Sequence, residues 1–132
     1  MMVFVDTSAF LAVLDSSELL HRAADGVWQR MLAGEDELVT TNYVLLELAA
    51  VVQSRLGLPA SRAFQNDVLP ALRVEWIGRE DHEAGMNAVL AACRRGLSLV
   101  DCASFHVIRR LGLTNCFTLD KHFKEQGFKC LP

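Results

Sequence analysis

With 132 residues and a formal charge of −3 (pI near 5.8), the chain has the length of one domain and no overall basic field. Any affinity for nucleic acid must therefore come from local clusters of Lys and Arg. At 52% hydrophobic and 22% charged the composition excludes a disordered chain, and no apolar run is long enough to span a membrane.

In chain order, MVFV (2–5) reads as a buried strand, and TSAFLAVL then starts a helix with Thr7 or Ser8 near its N-cap. SELLHRAADGVWQRMLAG (17–34) is helical and stops at Gly34, and ELVTT (37–41) is a second strand. NYVLLELAAVVQSRLG (42–57) is a strong helix capped by Thr41 or Asn42 and stopped by Gly57. Pro59 suits the first turn of another helix running to about Leu72, and RVEWI (73–77) alternates like a strand. REDHEAGMNAVLAACRRG (79–96) and SLVDCASFHVIRRLG (98–112) are helical. TNCFTL (114–119) is a strand, DKHFKEQ a helical turn, and FKCL (128–131) a last strand. Strands alternating with helices imply a mostly parallel sheet covered on both faces, whose ligands bind at the carboxyl ends of the strands.

Four acids stand out against this map. Asp6 and Asp120 each follow a strand, so both face one edge of the sheet. Glu47 in VLLELAAVV and Asp101 in LSLVDCASFHVI are isolated in apolar helices, and neither has a Lys or Arg three or four residues away. Each has a plain structural reading. Asp6 and Asp120 could be helix caps, and Glu47 and Asp101 wet edge positions. Taken together, four converging carboxylates without basic partners would repel, and a divalent cation removes the conflict. Oxygen ligands without clustered His or Cys favour magnesium or manganese over zinc, which points to phosphoryl or phosphodiester chemistry.

VDTSAF, NYVLLELAAVV, LSLVDCASFHVI and FTLDKHF resemble, in order and rough spacing, the motifs of PIN domains, most closely the VapC-type toxins. The resemblance covers essentially the whole chain and implies a single domain over 1–132. The implied fold is a three-layer α/β/α architecture with a central parallel sheet of four to five short strands. It further implies a ribonuclease that hydrolyses RNA phosphodiester bonds, with Asp6, Glu47, Asp101 and Asp120 as the acidic quartet holding one or two Mg²⁺ or Mn²⁺ ions. Ser8 and Thr118 match the family's supporting hydroxyls. A homodimer and a cognate antitoxin partner follow from the same resemblance. Some members carry a further acid after the last one, whereas here Lys121 and His122 follow Asp120, which bears on a second metal position.

Lys121, His122, Arg94 and Arg95 are the candidate RNA contacts, while Arg109 and Arg110 suit charge compensation at a helix C-terminus. His21, His82 and His106 form no ligand spacing, and Trp28 and Trp76 read as core or interface anchors. Cys93, Cys102, Cys116 and Cys130 form no CxxC or zinc spacing and no secretory leader is evident, so reduced thiols and a cytoplasmic location are expected. Two other classes compete. A phosphatase of the haloacid type needs a second Asp where Ser8 stands, and a receiver-like phosphoacceptor needs a differently placed Lys. A non-catalytic binding module with an acidic pocket is the third reading, and the intact quartet argues against it.

Overall fold

The computed structural model describes residues Met1–Pro132. Five strands, β1 (Met2–Val5), β2 (Glu37–Thr41), β3 (Leu72–Glu75), β4 (Asn115–Phe117) and β5 (Lys129–Leu131), form one sheet in the order β3-β2-β1-β4-β5. Every pair is parallel, with Phe4 opposite both Val39 and Cys116 at the centre. A strand covered on both faces must be apolar throughout, which is why MVFV carries no alternation and why Val3, Phe4 and Val5 are fully buried.

Seven helices connect the strands. Helices α1 (Thr7–Leu14), α2 (His21–Ala33), α3 (Asn42–Arg55) and α4 (Leu58–Ala63) lie in the crossovers from β1 to β3. Helices α5 (Arg79–Ala92) and α6 (Leu99–Arg110) return the chain to β4, and α7 (Lys121–Glu125) leads to β5. Right-handed crossovers running in opposite directions put the two groups on opposite faces, giving the expected α/β/α layers. Chain order reverses between β1 and β4, so the topological switch point lies beside the ends of these two strands.

Packing sets the positions of α6 and α7. Phe123 of α7 is fully buried against Phe105 of α6, with ring centroids 4.9 Å apart, and against Phe4 of β1 at 6.4 Å. Gly85 brings α5 close to α6, because a Cβ there would lie 3.1 Å from the Ala103 Cα.

Several local expectations are corrected. The cap of α1 is Asp6, rather than Thr7 or Ser8. Helix α2 starts at His21 and not at residue 17, because Asp15 accepts hydrogen bonds from both the amide and the hydroxyl of Ser17 and closes a turn there. Helix α5 stops at Ala92, where Cys93 adopts a left-handed conformation with φ of 51°. Trp28 belongs to the core, but β3 ends before Trp76 and leaves that ring 72% exposed. All four cysteines are free, and no helix is long and apolar enough to cross a membrane.

Candidate active site

Asp6, Asp101 and Asp120 are all helix caps or capping-box residues, so the plain reading of these acids holds locally. Asp6 caps α1 directly after β1, and Asp120 caps α7 three residues beyond the end of β4. Asp101 forms a capping box with Ser98 at the start of α6. Each cap uses one oxygen. Asp6 Oδ2 accepts from the Ser8 amide, Asp101 Oδ2 from the Ser98 amide at 3.2 Å, and Asp120 Oδ1 from the His122 amide at 2.9 Å. The second oxygen of each accepts no hydrogen bond from the protein. Capping therefore orients the carboxylates at three helix N-termini while leaving an oxygen of each for another partner.

The hydroxyls of Ser8 and Thr118 hold Asp6 more tightly. Ser8 Oγ donates to Asp6 Oδ2 at 2.9 Å, and Thr118 Oγ1 donates to the same oxygen at 3.1 Å. Their own acceptor sites are taken by backbone amides, Leu119 N–H to Ser8 Oγ at 2.9 Å and Asp120 N–H to Thr118 Oγ1 at 3.0 Å. The loop after β4 is thereby fastened to the carboxylate after β1, and the two hydroxyls also lie 3.2 Å from each other.

The electrostatics are those of acids that lack a counter-charge. Asp6 is only 3% exposed, and burial pushes its pKa up to about 6. The Ser8 hydrogen bond opposes that shift, and the neighbouring charge of Asp101 adds to it. Burial also raises the pKa of Asp101, against the hydrogen bonds from Ser98 and with the charges of Asp120 and Glu47. The charge of Asp101 thus acts on Asp6, and those of Asp120 and Glu47 act on Asp101. No Lys or Arg is paired with any of them. Glu47 lies in the second turn of α3, half-buried, beside Tyr43, Leu99 and Val100.

A divalent cation fits this donor set, since hard carboxylate oxygens with open lone pairs are what such an ion needs. Ligand atoms of Asp101, Asp120 and His122 lie within 4.8 Å of one another. The residue missed in sequence is His122, expected only at the RNA surface. Its Nδ1 sits 3.0 Å from Asp120 Oδ1, and the side chain is 14% exposed. A His two residues after a helix-capping Asp is the available signal, because both side chains then gather at the helix N-terminus.

The other basic candidates divide into two groups. Arg95 and Lys121 are exposed and carry no ion pair, whereas Arg94 is held by Glu125 at 3.2 Å. Arg109 lies over the Phe128 ring and donates to Gln126, and Arg110 forks onto Asp81.

The PIN domain family profile matches residues 3–129. The chain is 30% identical over 128 residues to "23S rRNA-specific endonuclease VapC20" of Mycobacterium tuberculosis, in strains H37Rv and CDC 1551, covering 96% of this chain and 95% of the relative. The crystal structure of M. tuberculosis VapC20, described as a sarcin-ricin loop cleaving toxin, superposes with a TM-score of 0.87 at 29% identity, over 98% of this chain and 99% of that one.

Proposed function

The chain belongs to the PIN domain family, and from that premise we propose that it is a divalent-metal-dependent endoribonuclease, the toxin of a toxin–antitoxin pair. One observation carries the reading. Asp6 and Asp120 follow the two strands that flank the topological switch point, Asp101 and Glu47 add their charge to theirs, and no Lys or Arg is paired with any of the four.

In this reading the four acids hold Mg²⁺ or Mn²⁺. The chemistry supplied by such a cation is Lewis-acid stabilisation of the phosphodiester and activation of the attacking water. The chain's own contribution is positioning. Ser8 and Thr118 lock Asp6, and the capping bonds of Asp101 and Asp120 turn one oxygen of each toward the crevice. Arg95 and Lys121, exposed and unpaired, are placed to meet RNA phosphates, and Arg94 joins them if its pair with Glu125 opens. Because the relative is named for 23S rRNA, structured ribosomal RNA is the first substrate class to try. We further propose a single domain over 1–132, a cytoplasmic location, an antitoxin partner and a homodimer. The exposed Leu46, Trp76 and Leu90 give a dimer apolar surface to bury.

The test is cleavage of an RNA pool containing rRNA by the purified protein, with Mg²⁺, with Mn²⁺ and with EDTA, beside an Asp101→Asn variant. Metal-dependent cleavage that is lost in the variant supports the reading. Cleavage that survives both EDTA and the substitution overturns it, as does a folded wild type that cuts nothing under either metal.

A further inference from the structure

His122 is the group at this site whose placement the quartet does not explain. Its Nδ1 is buried and has no hydrogen-bond partner, although Asp120 Oδ1 lies only 3.0 Å away. Asp120 Oδ1 already accepts the backbone amide of His122, and the imidazole approaches it without donating to it. A buried nitrogen left unsatisfied costs about 1–3 kcal/mol, so its position calls for a partner. The ring is confined by its low exposure, with the side chain 14% accessible. A ligand atom of His122 lies within 4.8 Å of carboxylate oxygens of Asp101 and Asp120. A nitrogen lone pair and two carboxylates gathered this closely form a mixed N,O donor set.

Resting on the metal-dependent reading above, we infer that His122 Nδ1 is a ligand of the cation held by Asp101 and Asp120, and that the centre therefore prefers Mn²⁺ to Mg²⁺. Magnesium demands oxygen ligands and keeps its waters, whereas an imidazole nitrogen is a ligand that the first-row transition ions accept. His122 then sets which ion is bound, and the RNA contacts fall to Arg95 and Lys121.

The experiment combines calorimetric titration of Mn²⁺ and of Mg²⁺ with pulsed electron paramagnetic resonance of the Mn²⁺-loaded protein, prepared with ¹⁴N- or ¹⁵N-histidine. The expected spectrum shows a nitrogen coupling that changes with the histidine isotope and disappears in His122→Ala. In the titrations, His122→Ala is expected to weaken Mn²⁺ binding about tenfold or more and Mg²⁺ binding less than about threefold. His122→Asp, which restores an oxygen donor, should narrow the gap between the two ions. Should His122→Ala fail to fold, the wild-type spectrum and His122→Asp still decide. Mn²⁺ binding that Asp101→Asn abolishes, without any histidine coupling, overturns the role of His122 and leaves the acidic site standing. Mn²⁺ binding indifferent to Asp101→Asn overturns both.

Discussion

Helix α6 carries a charged cluster near each end, and the two clusters are built in opposite ways. At its C-terminus Arg110 makes a two-pronged contact with Asp81, at 3.1 and 3.0 Å, and reaches Glu75 at 3.2 Å, while His106 adds a second base to Asp81 at 3.0 Å. At its N-terminus Asp101 and the acids Asp6, Glu47 and Asp120 act on one another by charge, and none is paired with a Lys or Arg. Where this fold uses acids to join elements, it supplies the cation from its own sequence. Where it leaves acids uncompensated, the counter-charge must come from outside, and the cost to stability is retained because binding relieves it.

Four substitutions or conditions sharpen or break that contrast. The largest effect is expected from Asp101→Asn, which should lower RNA cleavage by about a thousandfold or more, several kcal/mol of transition-state stabilisation. Arg110→Met, at the other end of the same helix, should leave cleavage rates unchanged. Equal losses from the two would erase the distinction between the clusters.

Next comes pH. The Asp6 pKa, raised by burial from 3.8 to about 6, means that the native protein holds a proton the unfolded chain has released. Stability of the metal-free protein should therefore fall as pH rises from about 4 to about 6, by up to about 3 kcal/mol, and stay low above that window. Asp6→Asn should remove this slope, and added Mn²⁺ should restore stability most at pH 7 and above. Denaturant titrations across the range measure both, and a slope equal in the two proteins would mean that Asp6 ionises freely.

Arg110→Met should cost about 1–2 kcal/mol, because it leaves the half-buried Asp81 carboxylate with His106 alone and the site is partly open to water. Added Mn²⁺ should not recover that loss. Salt gives the smallest effect. Raising KCl to 1 M should shrink the Arg110→Met penalty by a few tenths of a kcal/mol by screening an attraction. It should likewise shrink any gain that Asp101→Asn brings to the metal-free protein, by screening a repulsion. Movement of both differences toward zero is what the contrast requires.

The sheet was legible in the sequence because parallel strands buried on both faces are short apolar runs, as in MVFV. The acids were legible for a related reason, since Glu47 and Asp101 interrupt apolar helices and have no basic neighbour one turn away. Local side-chain chemistry was harder to read. Asp15 and Ser17 close a turn that a helical periodicity conceals, and Trp76 lies just beyond the end of β3 where alternation cannot report its exposure. The nearness of His122 to Asp120 had a local signal in the capping Asp two residues before it, but its approach to Asp101 had none. It follows from Phe123 packing on Phe105, which brings the starts of α6 and α7 together. Capping also leaves one oxygen of each carboxylate free, so a cap and a candidate ligand are not alternatives at Asp6, Asp101 and Asp120.

The fastening of Thr118 to Asp6 has a consequence for the growing chain. Strand β1 is made before the other four strands, yet it sits in the middle of the sheet, and one of its two neighbours is β4. Until Asn115–Phe117 and the loop after them have been made, β1 has an open edge, and Asp6 lacks Thr118. Pairing across such a sequence separation comes late in folding. A ribosome making this protein therefore carries a free Asp6 until Thr118 has emerged, and fragments broken off earlier lack the hydroxyl that holds that carboxylate.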